Sequence, residues 1–219
     1  ITAEVEGKKI RTITNATTIS TALTYSTNPA EILLDLLTTG LSVADADIDI
    51  ATFYSAKTSC AANFWTCNIA LIQQANIQSI IADVLATCRG KIFHSESKWK
   101  FKIDTKSQSV ADTLTSDDVL GNSLSISMAG SATIANKMIL KYVNPADEWL
   151  SAESVKEDST LQTYDGQTVQ KTLDIKGITS ATHAAQLCEI ALNSLRYSED
   201  SSANRVKQTP LAITFSTSV

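Results

Sequence analysis

Helical and strand-like hydrophobic patterns occupy separate segments of this 219-residue chain, and this segregation restricts its fold more than any other feature. Apolar residues recur at helical spacing after Asn28-Pro29, from Asn76 to Cys88, and from Thr179 to Tyr197. Residues 91–95 and 99–103 form two short strand-like segments, which is typical of a hairpin. The sequence therefore predicts a β-rich α+β fold in which helices pack on mixed or antiparallel sheets.

A polar stretch between Lys106 and Gly121 separates two halves of different character. We predict N-terminal strands over residues 1–14, a helix-bearing α+β domain over 15–105 and a linker over 106–121. A β-rich domain is predicted over residues 122–219, with one long helix at about 179–197. A chain of this length can form one large domain or two small ones, and the change of pattern favours two.

Capping residues indicate where the first two helices begin and end. Asn28 is a good N-cap and Pro29 suits the first helical position. Gly40 is expected to end this helix in the left-handed conformation. The second helix is predicted to begin after Asp45 or Asp47 and to end before Asn63; its inward residues would be Ile50, Phe53, Tyr54 and the stem of Lys57.

Two more helices are predicted from apolar stripes. The third helix would begin at about Asn76 and end at Gly90, with Arg89 near the negative end of its dipole. The last helix would begin at Thr179 or Ser180. The inward face of this last helix is predicted to consist of Ala184, Leu187, Cys188, Ala191, Leu192 and Leu195.

Alternation of apolar and polar residues predicts strands in much of the remaining chain. Near the N-terminus, two strands are expected to flank a turn at Gly7-Lys8. Asn144 to Asp158 is predicted to be a polar excursion, and Tyr164 to Gln167 a turn. The other predicted strands are Trp65–Ile72, Lys91–Ser95, Trp99–Ile103, Ser123–Met128, Lys137–Val143, Lys171–Ile175 and Leu211–Ser216.

The charge balance argues against binding to a phosphate backbone. The chain carries 18 Lys and Arg against 23 Asp and Glu, a net charge of −5, and phosphate binders need a basic face. Ser and Thr together make up 52 residues, which suits solvated sheet faces. No apolar run approaches the roughly 18 residues of a membrane span. We therefore predict neither specific nucleic-acid binding nor a transmembrane segment.

The first residue is Ile1 rather than Met, and residues 1–14 lack the apolar core of a signal peptide. We therefore expect the chain to be a processed product or an excised piece of a longer protein.

The cysteines and histidines do not have the spacing of a metal site. No two cysteines form a C-x-x-C pair, and His94 and His183 are distant from them in sequence. Reduced and mostly buried thiols are the favoured interpretation, which is typical of a protein made in a reducing cytoplasm. A catalytic Cys-His pair is the alternative. The four cysteines are Cys60, Cys67, Cys88 and Cys188.

No motif for nucleotide binding, zinc peptidase activity or serine hydrolase activity is present. Asp45, Asp47 and Asp49 alternate as in a calcium loop but lack its Gly and distal Glu, so helix capping is favoured. Asp117-Asp118 is interpreted as solvated linker charge rather than half of a catalytic pair. His94 is expected to be an ordinary strand residue and His183 an ordinary helix residue. We predict no catalytic, cofactor-binding or metal-binding residues, no cofactor and no enzymatic activity.

The three tryptophans leave two interpretations open. Trp65, Trp99 and Trp149 could form a surface that stacks on sugars or bases. They are far apart in sequence and lie in apolar patterns, so core or interface anchors are favoured. The stacking interpretation would make the chain an adhesin-like or carbohydrate-binding surface module, and at least two tryptophans would then share one open face.

A series of short segments resembles bacteriophage tail hub proteins, which include tail-tip attachment proteins of the J type and the related baseplate hub proteins. The extended segment, N-P-A and amphipathic helix of Thr24–Thr38 are similar to that family, as is Asp47–Phe53. Later segments follow in the family's order. They are Cys67–Leu71, Ile80–Leu85, Lys98–Ile103, Tyr142–Pro145 with Trp149, Tyr164–Gly166, Gly177–Ser180, Ala184–Gln186 and Leu195–Tyr197.

The resemblance covers nearly the whole chain and implies a structural role in the tail of a phage or prophage. Residues 106–121 match no segment of the family, and the long C-terminal fibre-like part of tip attachment proteins is not represented. The resemblance implies a two-domain hub-like architecture and a homotrimer around the tail channel. It also implies attachment to tail tube, tip or spike proteins in a virion tail, after synthesis in the bacterial cytoplasm. The net acidity fits a channel that DNA traverses without sticking.

Overall fold

The computed structural model describes residues 7–71, 75–104, 115, 119–120, 123–128, 135–199, 205–207 and 211–214. Helices and small mixed and antiparallel sheets are both present, which confirms the predicted α+β class. The helices are α1 (Pro29–Asp35), α2 (Ile50–Ala62), α3 (Ile77–Cys88), α4 (Ser159–Asp165) and α5 (Ala181–Arg196). A π turn, Leu36–Gly40, follows α1, and 3-10 turns span Asp45–Asp47 and Pro145–Asp147.

The strands are short and form five small sheets within the described ranges. They are β1 (Ile10–Asn15), β2 (Thr18–Thr24), β3 (Gly90–Ser95), β4 (Lys98–Ile103), β5 (Ser125–Met128), β6 (Lys137–Asn144), β7 (Leu150–Glu157), β8 (Gln170–Leu173), β9 (Tyr197–Glu199), β10 (Arg205–Lys207) and β11 (Leu211–Thr214). Antiparallel pairs join β1 to β2, β3 to β4, β5 to β11 and β9 to β10. The fifth sheet has the order β7-β6-β8, and its β6–β8 pair is parallel.

The chain divides into two compact units, each assembled from three separate segments. Unit 1 comprises Ile1–Asp104, Lys141–Glu153 and Asp174–Ala184. Unit 2 comprises Thr105–Leu140, Ser154–Leu173 and Ala185–Val219. The domain boundaries inferred from sequence stay a prediction, and most of the proposed 106–121 linker lies outside the described residues.

In unit 1, helices α1 and α2 pack on each other and on the β1–β2 hairpin. Leu33 and Leu34 of α1 are fully buried against this core, as is Ile13 of β1. Helix α2 also packs on β4, where Phe53 and Phe101 place their ring centroids 5.4 Å apart. Apolar burial of this kind is the main source of stability for such a unit.

The strongest local signals in the sequence produced the elements that they predicted. Asn28 caps α1 by accepting a hydrogen bond from the Ala30 N–H, and Asn76 caps α3 by accepting one from Gln78. Strands β3 and β4 form the predicted hairpin. Helix α5 occupies Ala181–Arg196, close to the predicted 179–197.

Several other predictions were wrong. Trp65 to Leu71 is not a strand, because its N–H groups bond to separate partners rather than along one neighbouring strand. The predicted polar excursion of residues 144–158 contains β7. Of the turn predicted over Tyr164–Gln167, the first two residues lie in α4, whereas Gly166 and Gln167 do form a turn after it. Near the N-terminus the hairpin turn lies at Ala16-Thr17 rather than at Gly7-Lys8, and the strand predicted before Gly7 lies outside the described residues.

Two glycines predicted to end helices act through close packing instead. Gly40 is not left-handed; it ends the π turn, and a Cβ there would lie 3.3 Å from Ile77. Gly90 begins β3, where a Cβ would collide with the ring of Phe101. The left-handed residue at the end of α3 is Arg89 (φ +53°). Likewise, Asp49 rather than Asp45 or Asp47 caps α2, whose buried residues are Phe53, Ala56 and Cys60.

Candidate functional site

A pocket of about 460 Å³ opens beside the start of α1 and the end of α2 in unit 1. Its volume falls within the roughly 300–1,000 Å³ typical of sites that enclose small organic groups. The residues that line it are Tyr25, Ser26, Thr27, Asn28, Glu31, Lys57, Cys60, Ala61, Phe64, Trp65 and Thr66. We call it the aromatic-rimmed pocket because Tyr25 and Phe64 are both exposed at its edge.

Phe64 is the most unusual residue of this pocket. Its side chain is 74% exposed, and its backbone is left-handed, with φ +57°. The turn is held by the Phe64 and Trp65 N–H groups, which donate to the carbonyls of Ala61 (3.2 Å) and Cys60 (2.9 Å). A left-handed conformation is costly for a residue other than Gly or Asn, so neither backbone preference nor burial accounts for a phenylalanine here.

The polar floor of the pocket is a closed network. Glu31 is buried, and its Oε1 accepts hydrogen bonds from the Ile13 N–H (2.9 Å) and from Lys57 Nζ (2.7 Å). The Ser26 hydroxyl donates to the other oxygen, and Lys57 Nζ also donates to the Ile13 carbonyl (2.6 Å). These bonds tie β1, α1 and α2 together. Since Glu31 is occupied by them, we expect the pocket to bind through its apolar and aromatic groups.

His183 lies deep in unit 1 and is fully buried. Its Nε2 lies 2.7 Å from the Thr87 carbonyl, so the hydrogen sits on Nε2, and the Thr66 N–H approaches Nδ1 at 3.5 Å. The ring stacks on Trp65, with centroids 6.2 Å apart. Burial lowers the pKa of His183, against the opposing effect of the Thr87 carbonyl. The residue is therefore a neutral packing histidine whose two nitrogens are both engaged.

All four cysteines are buried and unpaired, as the sequence analysis favoured. A hydrogen bond with Cys88, together with burial, raises the pKa of Cys60 far above its usual range. Burial raises the pKa of Cys67 to about 12 and also raises that of Cys188. The raised pKa values keep the thiols of Cys60, Cys67 and Cys188 protonated at neutral pH, and a nucleophilic cysteine requires the thiolate. The Cys-His alternative therefore lacks its reactive species at these positions.

The aspartates that resembled a calcium loop have separate structural roles. Asp45 accepts two hydrogen bonds from Arg11 (2.7 and 2.9 Å), which lower the pKa of this carboxyl. Asp49 caps α2 by accepting from the Thr52 N–H (3.3 Å), so the capping interpretation is confirmed for this residue. No group of three His, Cys, Asp or Glu residues within the described part of the chain could hold a metal ion. Asp117 and Asp118 lie outside the described residues.

The three tryptophans do not lie in similar environments. Trp65 is buried in the core of unit 1. Trp99 is half-buried in β4, and its ring and that of His94 on β3 form a T-shaped pair with centroids 5.3 Å apart. Trp149 is 52% exposed at the turn between β6 and β7. A stacking platform made of Trp65 with either of the others is therefore excluded.

The turn that carries Trp149 is a second unusual feature of unit 1. Glu148 and Trp149 are consecutive left-handed residues, with φ +50° and +63°. Asn144 holds this turn: its side chain accepts from the Ala146 N–H (3.1 Å) and its carbonyl accepts from the Trp149 N–H (3.0 Å). We call the segment Asn144–Leu150 the tryptophan tip.

A family model described as "Putative phage tail protein" (Phage-tail_3) matches residues 76–213, well over half of the chain. The chain belongs to this phage tail protein family. The match includes α3, α4, α5 and the tryptophan tip, together with the strands from β3 to β11 as far as Ile213. No curated protein matches this phage tail protein. In the parts of the chain that the structure describes, no helix is long and apolar enough to cross a membrane.

Tyr25 and Phe64 of the pocket rim carry no motif that marks them as functional residues in the sequence. Phe64 follows a helix and Tyr25 follows a strand, and an exposed aromatic residue in either place has the same local pattern as a buried one. The exposure of Trp149 is compatible with its predicted role as an interface anchor. His183 was placed correctly in the first turn of the last helix.

Proposed function

We propose that this phage tail protein is a hub or tip protein, which joins the tail tube to the tip or spike of a phage or prophage virion. As a homotrimer in its full-length form, it would line part of the channel through which DNA passes. The observation that carries this proposal is the match to a phage tail family. The ordered resemblance to hub proteins supports the finer assignment.

The chemistry of the pocket supports a structural rather than a catalytic role. Its buried carboxylate is occupied by Lys57, Ser26 and the backbone of β1. The nearby thiols have raised pKa values, and His183 has no free nitrogen. A protein with such an arrangement works through its surfaces, so we propose no enzymatic activity for it.

Exposed apolar side chains support the proposed assembly with other copies and other tail proteins. Large hydrophobic residues that stay exposed in an isolated chain often mark interaction surfaces. In unit 1 the most exposed of them are Leu23, Phe64, Leu71, Trp149 and Leu150, each more than half exposed. Covering these groups by assembly would add apolar burial that the single chain does not achieve.

The net charge supports the proposed place beside the DNA channel. With a formal charge of −5, the chain disfavours tight binding to phosphate and would let DNA slide past. The alternative, an adhesin-like or carbohydrate-binding module, needs at least two tryptophans on one open face. The burial of Trp65 weakens that alternative.

Immunogold electron microscopy tests this proposal. An antibody raised against the chain is applied to particles induced from the source strain. Label confined to one end of the tails is expected. Label along the whole tail would contradict the hub assignment but would still support a role in the tail. Label on the cell surface together with unlabelled tails would favour the adhesin-like alternative.

A further inference from the structure

We propose that the tryptophan tip of one copy inserts Trp149 into the aromatic-rimmed pocket of a second copy, so that copies join head to tail. This inference rests on the proposed homotrimer and deepens it by naming the two surfaces that meet. Both surfaces belong to unit 1, so every chain offers one projecting group and one receptacle. A contact between two different surfaces of the same chain closes into a ring when the rotation between neighbours permits it.

The tip has the features of a preformed anchor. Two consecutive non-glycine residues are held in the left-handed region, and Asn144 locks them with two hydrogen bonds. The backbone strain places Trp149 outward, where it is 52% exposed beside Leu150, which is 58% exposed. Strained backbone that exposes a large aromatic side chain indicates a surface kept for binding rather than for stability. Tryptophan is also one of the residue types, with tyrosine and arginine, that are enriched among dominant interface contacts.

The pocket has the features of a matching receptacle. Its volume of about 460 Å³ is sufficient for a bulky side chain, and Tyr25 and Phe64 stand at its rim. An indole placed between them could make offset or edge-to-face aromatic contacts, which are favourable beyond area burial. Because the carboxylate of Glu31 already has its partners, an apolar group can enter without leaving this charge unpaired.

Charge favours a second copy of this chain as the occupant. Asp147 and Glu148 are exposed on the tip, directly before Trp149. At the pocket, Gly7 lies against the ring of Tyr25: a Cβ atom added at Gly7 would lie 3.6 Å from Cε2 of Tyr25. Gly7 is followed by the exposed Lys8, which pairs with Asp35 at 2.7 Å, and by the exposed Lys9. Since Asp35 balances Lys8 and Glu31 balances Lys57, Lys9 is the excess positive charge beside this edge of the pocket. Its attraction to the acidic tip favours the orientation in which Trp149 enters the pocket.

Sedimentation velocity of the full chain tests the proposal with variants that suit the backbone. Trp149→Asn and Phe64→Asn place an asparagine at left-handed positions, which asparagine tolerates, so both variants are expected to fold at least as well as wild type. Each should weaken self-association about tenfold or more, because an anchor residue or its pocket is lost. Ser42→Asn is the matched control: Ser42 is exposed and left-handed (φ +56°) but lies outside both surfaces.

Mixing the two variants distinguishes a head-to-tail contact from other arrangements. Trp149→Asn keeps an intact pocket and Phe64→Asn keeps an intact tip, so the mixture should form one junction and stop at a heterodimer. Wild-type chain that stays monomeric up to about 0.1 mM, a concentration that reveals even weak interfaces, would overturn the proposal. The proposal would also be overturned if either variant associated as strongly as the wild-type chain. A mixture that forms no heterodimer would overturn it as well, and this result is expected if another tail protein covers Trp149. None of these outcomes would affect immunogold labelling of the tails. The proposed contact between copies can therefore be wrong while the proposed tail function is right.

Discussion

Asn136 of unit 2 is fully buried, yet its polar atoms all have partners. Its Nδ2 donates to Asp165 and to the Gln167 carbonyl, both at 2.9 Å, and its Oδ1 accepts from the Val169 N–H at 2.8 Å. Its backbone N–H and carbonyl bond to Val169 and Asp158. One side chain thus holds together the start of β6, the end of α4 and the approach to β8, and buried polar groups of this kind are costly to disturb.

Asn136→Ala is expected to lower the free energy of unfolding by about 2–4 kcal/mol, because it leaves buried donors and acceptors without partners. Urea denaturation followed by circular dichroism measures the change. Gln167→Ala is the control, since the Gln167 side chain is exposed and only its carbonyl takes part in the network. Equal stability of the two variants would show that the Asn136 network contributes nothing.

His183 gives the stability of the molecule a dependence on pH with a defined sign. Its pKa is lowered in the folded chain by burial, so the folded chain binds a proton less readily than the unfolded chain does. As the pH falls through about 6.5, the pKa of an unfolded histidine, His183 becomes protonated in the unfolded chain while it is still neutral in the folded chain. Unfolding is then accompanied by proton uptake and becomes more favourable. The contribution of this residue to stability is therefore complete above that pH and is lost as the pH falls below it.

We expect the free energy of unfolding to fall between pH 7 and pH 5, by at most about 1.4 kcal/mol per pH unit from this one group. The His183→Gln variant should be less stable at pH 7 but should show a shallower decline. Both proteins retain His94, so the difference between their pH profiles isolates His183. Parallel profiles from urea titrations would show that His183 does not titrate in this way.

Among the elements, the β3–β4 hairpin combines a predictable register with an unfavourable turn sequence. Glu96 and Ser97 both have positive φ, +54° and +59°, as a two-residue type I′ turn requires. Neither residue is favoured in this conformation, in which Asn-Gly is the preferred pair. The strands rather than the turn residues therefore stabilise this hairpin.

Ser97→Gly is expected to raise the free energy of unfolding by about 0.5–1 kcal/mol, because glycine adopts positive φ without steric cost. Ser95→Gly two residues earlier should have the opposite effect, since Ser95 lies in extended β3. Thermal unfolding of the two variants and the wild-type chain shows whether each substitution raises or lowers the stability. A loss of stability in Ser97→Gly would contradict the turn assignment.

Sequence predicted the elements whose signals are local and failed where partners are distant. Asn28 and Asn76 cap helices through neighbours two residues away, so a short window of sequence contains the whole interaction. The segment after Trp65 looks like a strand, but Cys67 donates to Thr27 and Asn68 donates to Gly177. Those partners are set by the tertiary fold, and no periodicity in residues 65–72 could have revealed them.

At the scale of the whole molecule, the candidate site depends on the same long-range information. The pocket is lined by residues 25–31 together with residues 57–66, and Trp65 on its wall stacks on His183. Local pattern indicated that Trp149 could be an anchor but gave no sign of the cavity. The family resemblance predicted a tail protein correctly because it uses the order of motifs along the whole chain.

Buried cysteines occur in both compact units, so the reactivity of the thiols can be used to follow the opening of each unit. Cys60, Cys67 and Cys88 belong to unit 1 and Cys188 to unit 2. All four thiols are buried, and the pKa values of Cys60, Cys67 and Cys188 are raised, so we expect them to be unreactive while the chain is folded. A thiol-specific disulfide reagent at pH 8 should therefore label none of them quickly. In denaturant it should label four, at least about a hundredfold faster, because labelling of the native chain requires opening.

Gln78→Cys serves as the positive control in this experiment, because position 78 is exposed on α3 and should add one fast thiol to four slow ones. The stages of labelling at intermediate denaturant then show how the two units open. If the three unit 1 thiols and Cys188 become reactive together, the units unfold as one cooperative molecule. Separate stages would mean that each unit has its own stability, and one fast native thiol would contradict the burial that protects all four.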